Sequence, residues 1–166
     1  MVYFVLRYRQ RVPGAPAPGQ VTHSTTLEIA WTAVPLVLVG VMFYTSFRGY
    51  MDLVNPPKGA MDVNVLGQKW LWNFTYPNGH VDTELHVPVD TPVRLILTSN
   101  DVIHSLFIPA FRVKRDAVPG RYNYLWFHAT MPGEYLALCS EYCGRGHSDM
   151  LARVVVHEAG LYERWL

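Results

Sequence analysis

Apolar and polar positions along the chain follow two different rules. From Leu27 to Phe47 run 21 residues whose single charge is Glu28. A helix of that length rises about 31 Å, close to the hydrocarbon thickness of a bilayer. Pro35 would break a soluble helix, but membrane helices accept proline where neighbouring groups satisfy the freed carbonyl. The pattern predicts a transmembrane helix over 27–48. After Arg48 the run gives way to short, partly alternating segments: Met61–Val65, Gln68–Tyr76, Thr83–Val87, Val93–Thr98, Tyr122–Phe127, Glu134–Leu138 and Leu151–His157. Pro77-Asn78-Gly79 carries the turn chemistry of a hairpin. Short strands punctuated by Pro and Gly over about 100 residues predict a two-sheet β sandwich. Glu158–Leu166 reads as a short closing helix.

The flanks of the apolar run set its direction. Arg7, Arg9 and Arg11 precede a Pro/Gly-rich loop, Pro13 to Gly19, that holds no acidic residue. Short Arg-rich segments stay on the cytoplasmic side, so the expected organisation is a stub and cytoplasmic loop over 1–26, the span over 27–48, and an extracytoplasmic domain over 49–166. Met1–Leu6 is apolar apart from Tyr3 but too short to cross a bilayer, and reads as the tail of a first helix or as an interfacial anchor. Taken alone, Glu28 is an N-terminal helix carboxylate favoured by the helix dipole.

Composition narrows the function classes. The chain has 166 residues, 50% of them apolar and 16% charged, with a formal net charge of +1. No basic field is available to grip a phosphate backbone, so nucleic acid is not an expected partner. Large hydrophobes are too plentiful for intrinsic disorder, and two cysteines are too few for a disulfide-stapled scaffold.

Both cysteines fall in one stretch, Cys139-Ser140-Glu141-Tyr142-Cys143-Gly144-Arg145-Gly146-His147-Ser148-Asp149-Met150. Two thiols, an imidazole and a thioether are the soft and borderline donors that copper prefers. Gly144 and Gly146 would let the backbone fold tightly enough for them to converge. His104 can add a second imidazole from a neighbouring strand. A Cys139–Cys143 disulfide is permitted outside the cell but leaves His104, His147 and Met150 without a role. A tetrahedral zinc site has no use for Met150, and a mononuclear blue-copper centre has no use for the second cysteine. A pair of coppers bridged by both sulfurs uses every donor.

The chain resembles subunit II of the haem-copper cytochrome c oxidases over nearly all its length. The twelve-residue stretch from Cys139 to Met150 is similar to that family's binuclear CuA loop. The resemblance extends to Ser99–Leu106 (SNDVIHSL), Val113–Arg121 (VKRDAVPGR), Trp70-Leu71-Trp72, and Leu27–Thr32 (LEIAWT), which resembles the opening of the family's second membrane helix. It implies an all-β, cupredoxin-like Greek-key sandwich behind an N-terminal transmembrane helix. Residue by residue, it implies that Cys139 and Cys143 bridge the two coppers, with His104 and Met150 completing one and His147 and the Glu141 carbonyl the other. The Glu141 carboxylate would face a magnesium ion shared with the catalytic subunit. Trp70, otherwise a sandwich-surface tryptophan, would receive electrons from cytochrome c or a similar one-electron carrier. Glu28 would stand at the mouth of a proton channel.

The implied function is that of a terminal respiratory oxidase subunit that takes in electrons outside the cytoplasmic membrane and hands them to haem in catalytic subunit I, where oxygen is reduced to water. Other oxidase subunits are implied partners, and no bond chemistry falls to this chain. It differs from the family pattern in two respects: the first membrane helix is reduced to a stub, and Lys69 stands where glutamine is frequent, adding positive charge where a lysine-rich cytochrome c would dock. No C-x-x-C-H occurs, so haems are expected in the partner subunit only. A membrane-anchored copper carrier is the alternative function, and a disulfide-held structural module a third.

Overall fold

The computed structural model describes residues 1–16, 19 and 22–166, so positions 17 and 18 of the Pro/Gly loop lie outside the described residues. The chain divides into two compact units, Met1–Ser46 and Phe47–Leu166. The first contains helix α1 (Val2–Tyr8) and most of helix α2 (Thr25–Val54). Among the described residues α2 is the one helix long and apolar enough to cross a membrane, and none of its residues is buried. It continues through Pro35, and the Glu28 amide donates to the Ser24 carbonyl at 2.9 Å in its first turn.

The second unit is a sandwich of two five-stranded sheets. Strands β1 (Met61–Gln68), β2 (Leu71–Thr75), β3 (Val81–Asp82), β5 (Pro92–Ser99) and β8 (Asn123–His128) form one sheet, in the order β3-β2-β1-β5-β8. Strands β4 (Leu85–Pro88), β6 (His104–Ile108), β7 (Val113–Ala117), β9 (Gly133–Cys139) and β10 (Leu151–His157) form the other, in the order β4-β10-β9-β6-β7. Two pairings are parallel, β1 with β5 and β4 with β10, because the chain crosses between sheets before returning. Alternation places the core: Val93, Leu95 and Leu97 of β5 point inward with Val63 and Val65 of β1, against Leu106 and Ile108 of β6 and Val154 and Val156 of β10. Helix α3 (Tyr162–Trp165) closes the chain, and the Trp165 ring stacks on His86 at 4.0 Å between centroids.

Two sequence expectations change. Gln68–Tyr76 is not one strand: β1 runs through Gln68, the chain reverses at Lys69-Trp70, and β2 starts at Leu71. The hairpin turn expected at Pro77-Asn78-Gly79 is present and joins β2 to β3, with Gly79 at φ +88° and its amide donating to the Tyr76 carbonyl. Strand β7 lies in a stretch from which no strand is predicted, while β6 is the neighbouring strand expected to carry His104.

Candidate metal centre

The loop that holds both cysteines is pinned at its base. β9 and β10 pair antiparallel up to Leu138 opposite Leu151, and one step further the Cys139 amide donates to the Met150 carbonyl at 3.1 Å. β6 runs beside β9 with Leu106 opposite Cys139, and the Ser140 amide donates to the Ser105 carbonyl at 2.8 Å. This register carries His104, first residue of β6, to the loop across 35 positions of sequence. At the far end, a single 3-10 turn over His147–Asp149 turns the chain back, with the His147 amide donating to the Gly144 carbonyl.

The donors converge in a string. His104 Nδ1 lies 3.8 Å from Cys139 Sγ, the two sulfurs are 3.8 Å apart, and Cys143 Sγ lies 3.5 Å from His147 Nδ1. Met150 Sδ is 3.8 Å from Cys143 Sγ, and the Glu141 carbonyl oxygen is 3.3 Å from Cys139 Sγ. Each sulfur therefore has one imidazole and one weak donor beside it. Both cysteines are free thiols, so the disulfide arrangement is not the one present. His104, Cys139, Cys143 and Met150 are buried, His147 is half-buried, and Glu141 is exposed. The Glu141 side chain is thus at the surface while its carbonyl turns inward.

These separations fit metal ligation. Two sulfurs each about 2.3 Å from one ion at a tetrahedral angle stand about 3.8 Å apart, and a sulfur and an imidazole nitrogen about 3.6 Å apart. The electrostatics agree. Burial, and then the neighbouring Cys139 thiol, push the Cys143 thiol up to about 11. Two adjacent buried thiolates need a compensating cation, and a metal ligated by both supplies it.

Trp70 lies across this loop, 40% exposed, and its indole Nε1–H donates to the Cys143 carbonyl at 3.3 Å. The loop glycines serve this contact unequally. Gly144 sits at φ +118°, a conformation L side chains rarely adopt. Gly146 has an unremarkable φ of −91°, but a Cβ there would fall 2.6–2.9 Å from ring atoms of Trp70. It is glycine for space, not for backbone freedom. Gly67 plays the same part on the other side: a Cβ would meet Trp72 at 3.0 Å and His104 at 3.1 Å.

Sequence reasoning missed Asp101. Its Oδ1 lies 2.8 Å from His104 Nε2 and accepts the Val102 amide at 2.7 Å, while Oδ2 accepts the Lys69 amide at 2.8 Å. Burial pushes this carboxyl up, but the hydrogen bonds from His104, Lys69 and Val102 outweigh it and hold it at about 2. The signal was present as an acid three residues ahead of a candidate donor histidine, since a carboxylate is a common second partner for a metal-bound imidazole. Glu28 is exposed in the first turn of α2, in the other unit.

Comparison with known proteins agrees with this geometry. Residues 79–158 match the profile of the family described as cytochrome c oxidase subunit II, periplasmic domain. Cytochrome c oxidase subunit 2 of Cereibacter sphaeroides is 32% identical over an alignment covering 100% of this chain and 67% of that protein. The crystal structure of the periplasmic domain of cytochrome oxidase subunit II (CoxB) of Bradyrhizobium japonicum superposes with a TM-score of 0.63 at 36% identity, covering 67% of this chain and 94% of that one. A chain from a cryo-EM structure of a heme-copper terminal oxidase dimer superposes at 0.56 with 25% identity, over 77% and 99%. The chain spans between 51% and 70% of the length of the curated relatives it matches. With a two-sheet, cupredoxin-like sandwich behind an apolar N-terminal helix, the chain belongs to the cytochrome c oxidase subunit II family.

Proposed function

We propose that this chain is the subunit through which electrons enter a terminal respiratory oxidase, holding a binuclear copper (CuA) centre in a domain on the outer, periplasmic face of the cytoplasmic membrane. The observation that carries this reading is the pair of buried free thiols 3.8 Å apart, each flanked by an imidazole and a weak donor. Cys139 and Cys143 would hold both ions. His104 and Met150 would complete one, and His147 and the Glu141 carbonyl would complete the other. This assignment puts an imidazole beside one sulfur and a weak ligand beside the other at each position. When bound, the copper pair takes up and releases one electron at a time with its charge spread over both metals.

The protein's own part is to hold and shield. Burial of Cys139, Cys143, Met150 and His104 excludes water and resists ligand exchange, which disfavours a copper carrier with exposed, exchangeable donors. The exposed Trp70 indole gives a docked one-electron carrier, cytochrome c or a similar protein, a contact one hydrogen bond from a ligand residue. The Glu141 carboxylate faces outward, where a magnesium ion shared with the catalytic haem-copper subunit I would sit. Haem and oxygen chemistry belong to that partner and proton translocation to the assembled complex. Helix α2 anchors the chain: so many unburied apolar side chains are favourable only in lipid or against other membrane helices. Glu28, in its first turn, is the proton-channel entrance.

The test is metal analysis and EPR of the full chain after copper loading. Two coppers per chain sharing one unpaired electron equally are expected. Zinc, a single copper or a disulfide would refute the reading.

A further inference from the structure

We propose that Asp101 is a positioning residue that ties Trp70, where electrons arrive, to His104, a ligand of the centre. This inference rests on the function proposed above. An ionised carboxylate only accepts hydrogen bonds, so its contact with His104 makes Nε2 the protonated nitrogen and leaves Nδ1 bare, facing Cys139 Sγ. The other oxygen takes the amide of Lys69, the residue before Trp70.

The contacts close a ring. From His104 it runs through Cys139 Sγ and Cys143 Sγ, along Cys143 to its carbonyl, across to the Trp70 indole at 3.3 Å, back through the Lys69 amide to Asp101 at 2.8 Å, and on to His104 at 2.8 Å. Trp70 is thereby held at two points, its ring by a ligand residue and the residue before it by the carboxylate that orients another ligand. Lys69-Trp70 is a turn between β1 and β2, outside the strand ladder; the ladder beside it ends where the Asn100 amide donates to the Gly67 carbonyl at 3.0 Å, so the carboxylate extends that junction to the turn itself.

Two other roles compete. Asp101 could merely close the turn over Ser99–Val102, where Oδ1 also accepts the Val102 amide and the Ser99 hydroxyl at 3.4 Å. It could instead be only a surface charge for the donor. Asp101→Asn separates these roles. Its single carbonyl oxygen can still serve Val102 and His104, but its NH2 would face the Lys69 N–H, donor against donor. Asp101→Ala removes both links.

The experiment uses the full chain in detergent, metal-free, with 15N NMR of the His104 ring and hydrogen exchange of the Lys69 amide. A parallel copper-loaded sample is titrated with a chelator. In Asp101→Asn, Lys69 exchange should accelerate about fivefold or more while His104 keeps its Nε2–H form. In Asp101→Ala, His104 should also lose that preference, and copper should be held about 10–100-fold more weakly. Parental Lys69 exchange in Asp101→Asn overturns the proposal. So does a change in the salt dependence of donor oxidation with both NMR signatures intact, which would leave only a docking charge. If Asp101→Ala does not fold, Asp101→Asn decides alone. If the parent chain takes up no copper pair, the function proposed above fails, and the metal-free readouts still decide the role of Asp101.

Discussion

Gly146→Ala tests whether the tryptophan and the metal loop are packed as one unit. The alanine Cβ would fall 2.6 Å from Trp70 Cδ2, 2.8 Å from Cγ and 2.9 Å from Cε3. Ordinary carbon contacts are about 3.5–4.0 Å, so the ring must retreat by about 1 Å. These atoms lie near the attachment of the ring rather than at a flexible end, so rotation alone cannot relieve the clash. A retreat of that size breaks the 3.3 Å bond to the Cys143 carbonyl, costing about 1 kcal/mol, with overpacking strain of about 1–3 kcal/mol. Opposing this, alanine at a compatible φ of −91° gains about 0.4–1 kcal/mol through the unfolded chain. The net expectation is a loss of about 1–3 kcal/mol, measured by denaturant unfolding of the full chain in detergent. In a Trp70→Ala background the clash and the bond are already gone, so Gly146→Ala should be neutral or slightly stabilising. The double-mutant cycle should therefore show a coupling of about 2 kcal/mol. Equal destabilisation in both backgrounds would show that something other than the indole fills the space beside Gly146.

Further expectations concern the donors, the helix and the far end of the sandwich. Cys143→Ser should abolish the shared-electron EPR signal while circular dichroism stays that of a β sandwich; a parental signal would end the bridging role. Glu28→Gln in the assembled oxidase should slow steady-state oxygen consumption, and unchanged turnover would remove the proton-entrance assignment. Burial holds the His86 and His157 imidazoles below the usual value, and their ring nitrogens lie 2.9 Å apart, one accepting from the other. Asp82, Glu84 and Arg153 face the same pair, with the two acids favouring protonation of His86 and Arg153 opposing it. Because the folded state binds fewer protons than the unfolded chain, stability should be complete above about pH 6.5 and fall as pH drops below it. Unfolding at a series of pH values checks the sign, and His157→Gln should flatten the slope; stability that rises on acidification would contradict it.

Asp101 and Gly146 show where sequence reading stops. The donor set was legible because thiols, imidazoles and a thioether at close spacing have few other uses, and because β9 and β10 bring the ends of that stretch together by local pairing. Strand β7 was not legible. In β7 only Val113 and Ala117 are buried, with Lys114, Arg115 and Asp116 exposed between them, so no alternation marks the strand. The turn at Lys69-Trp70 was hidden for the opposite reason: apolar and aromatic residues run straight through it, and only the pairing of Gln68 with Leu71 shows the reversal.

The amino-acid order by itself determined an apolar helix, a strand-rich domain and a cluster of soft donors, since each depends on neighbours within about a dozen residues. Only the folded chain decided that the imidazole at 104 reaches the sulfurs, that one carboxylate serves two distant segments, and that the space beside Gly146 belongs to an indole. Those relations depend on strand register between segments far apart in sequence, and register follows from burying the whole inner face of both sheets at once.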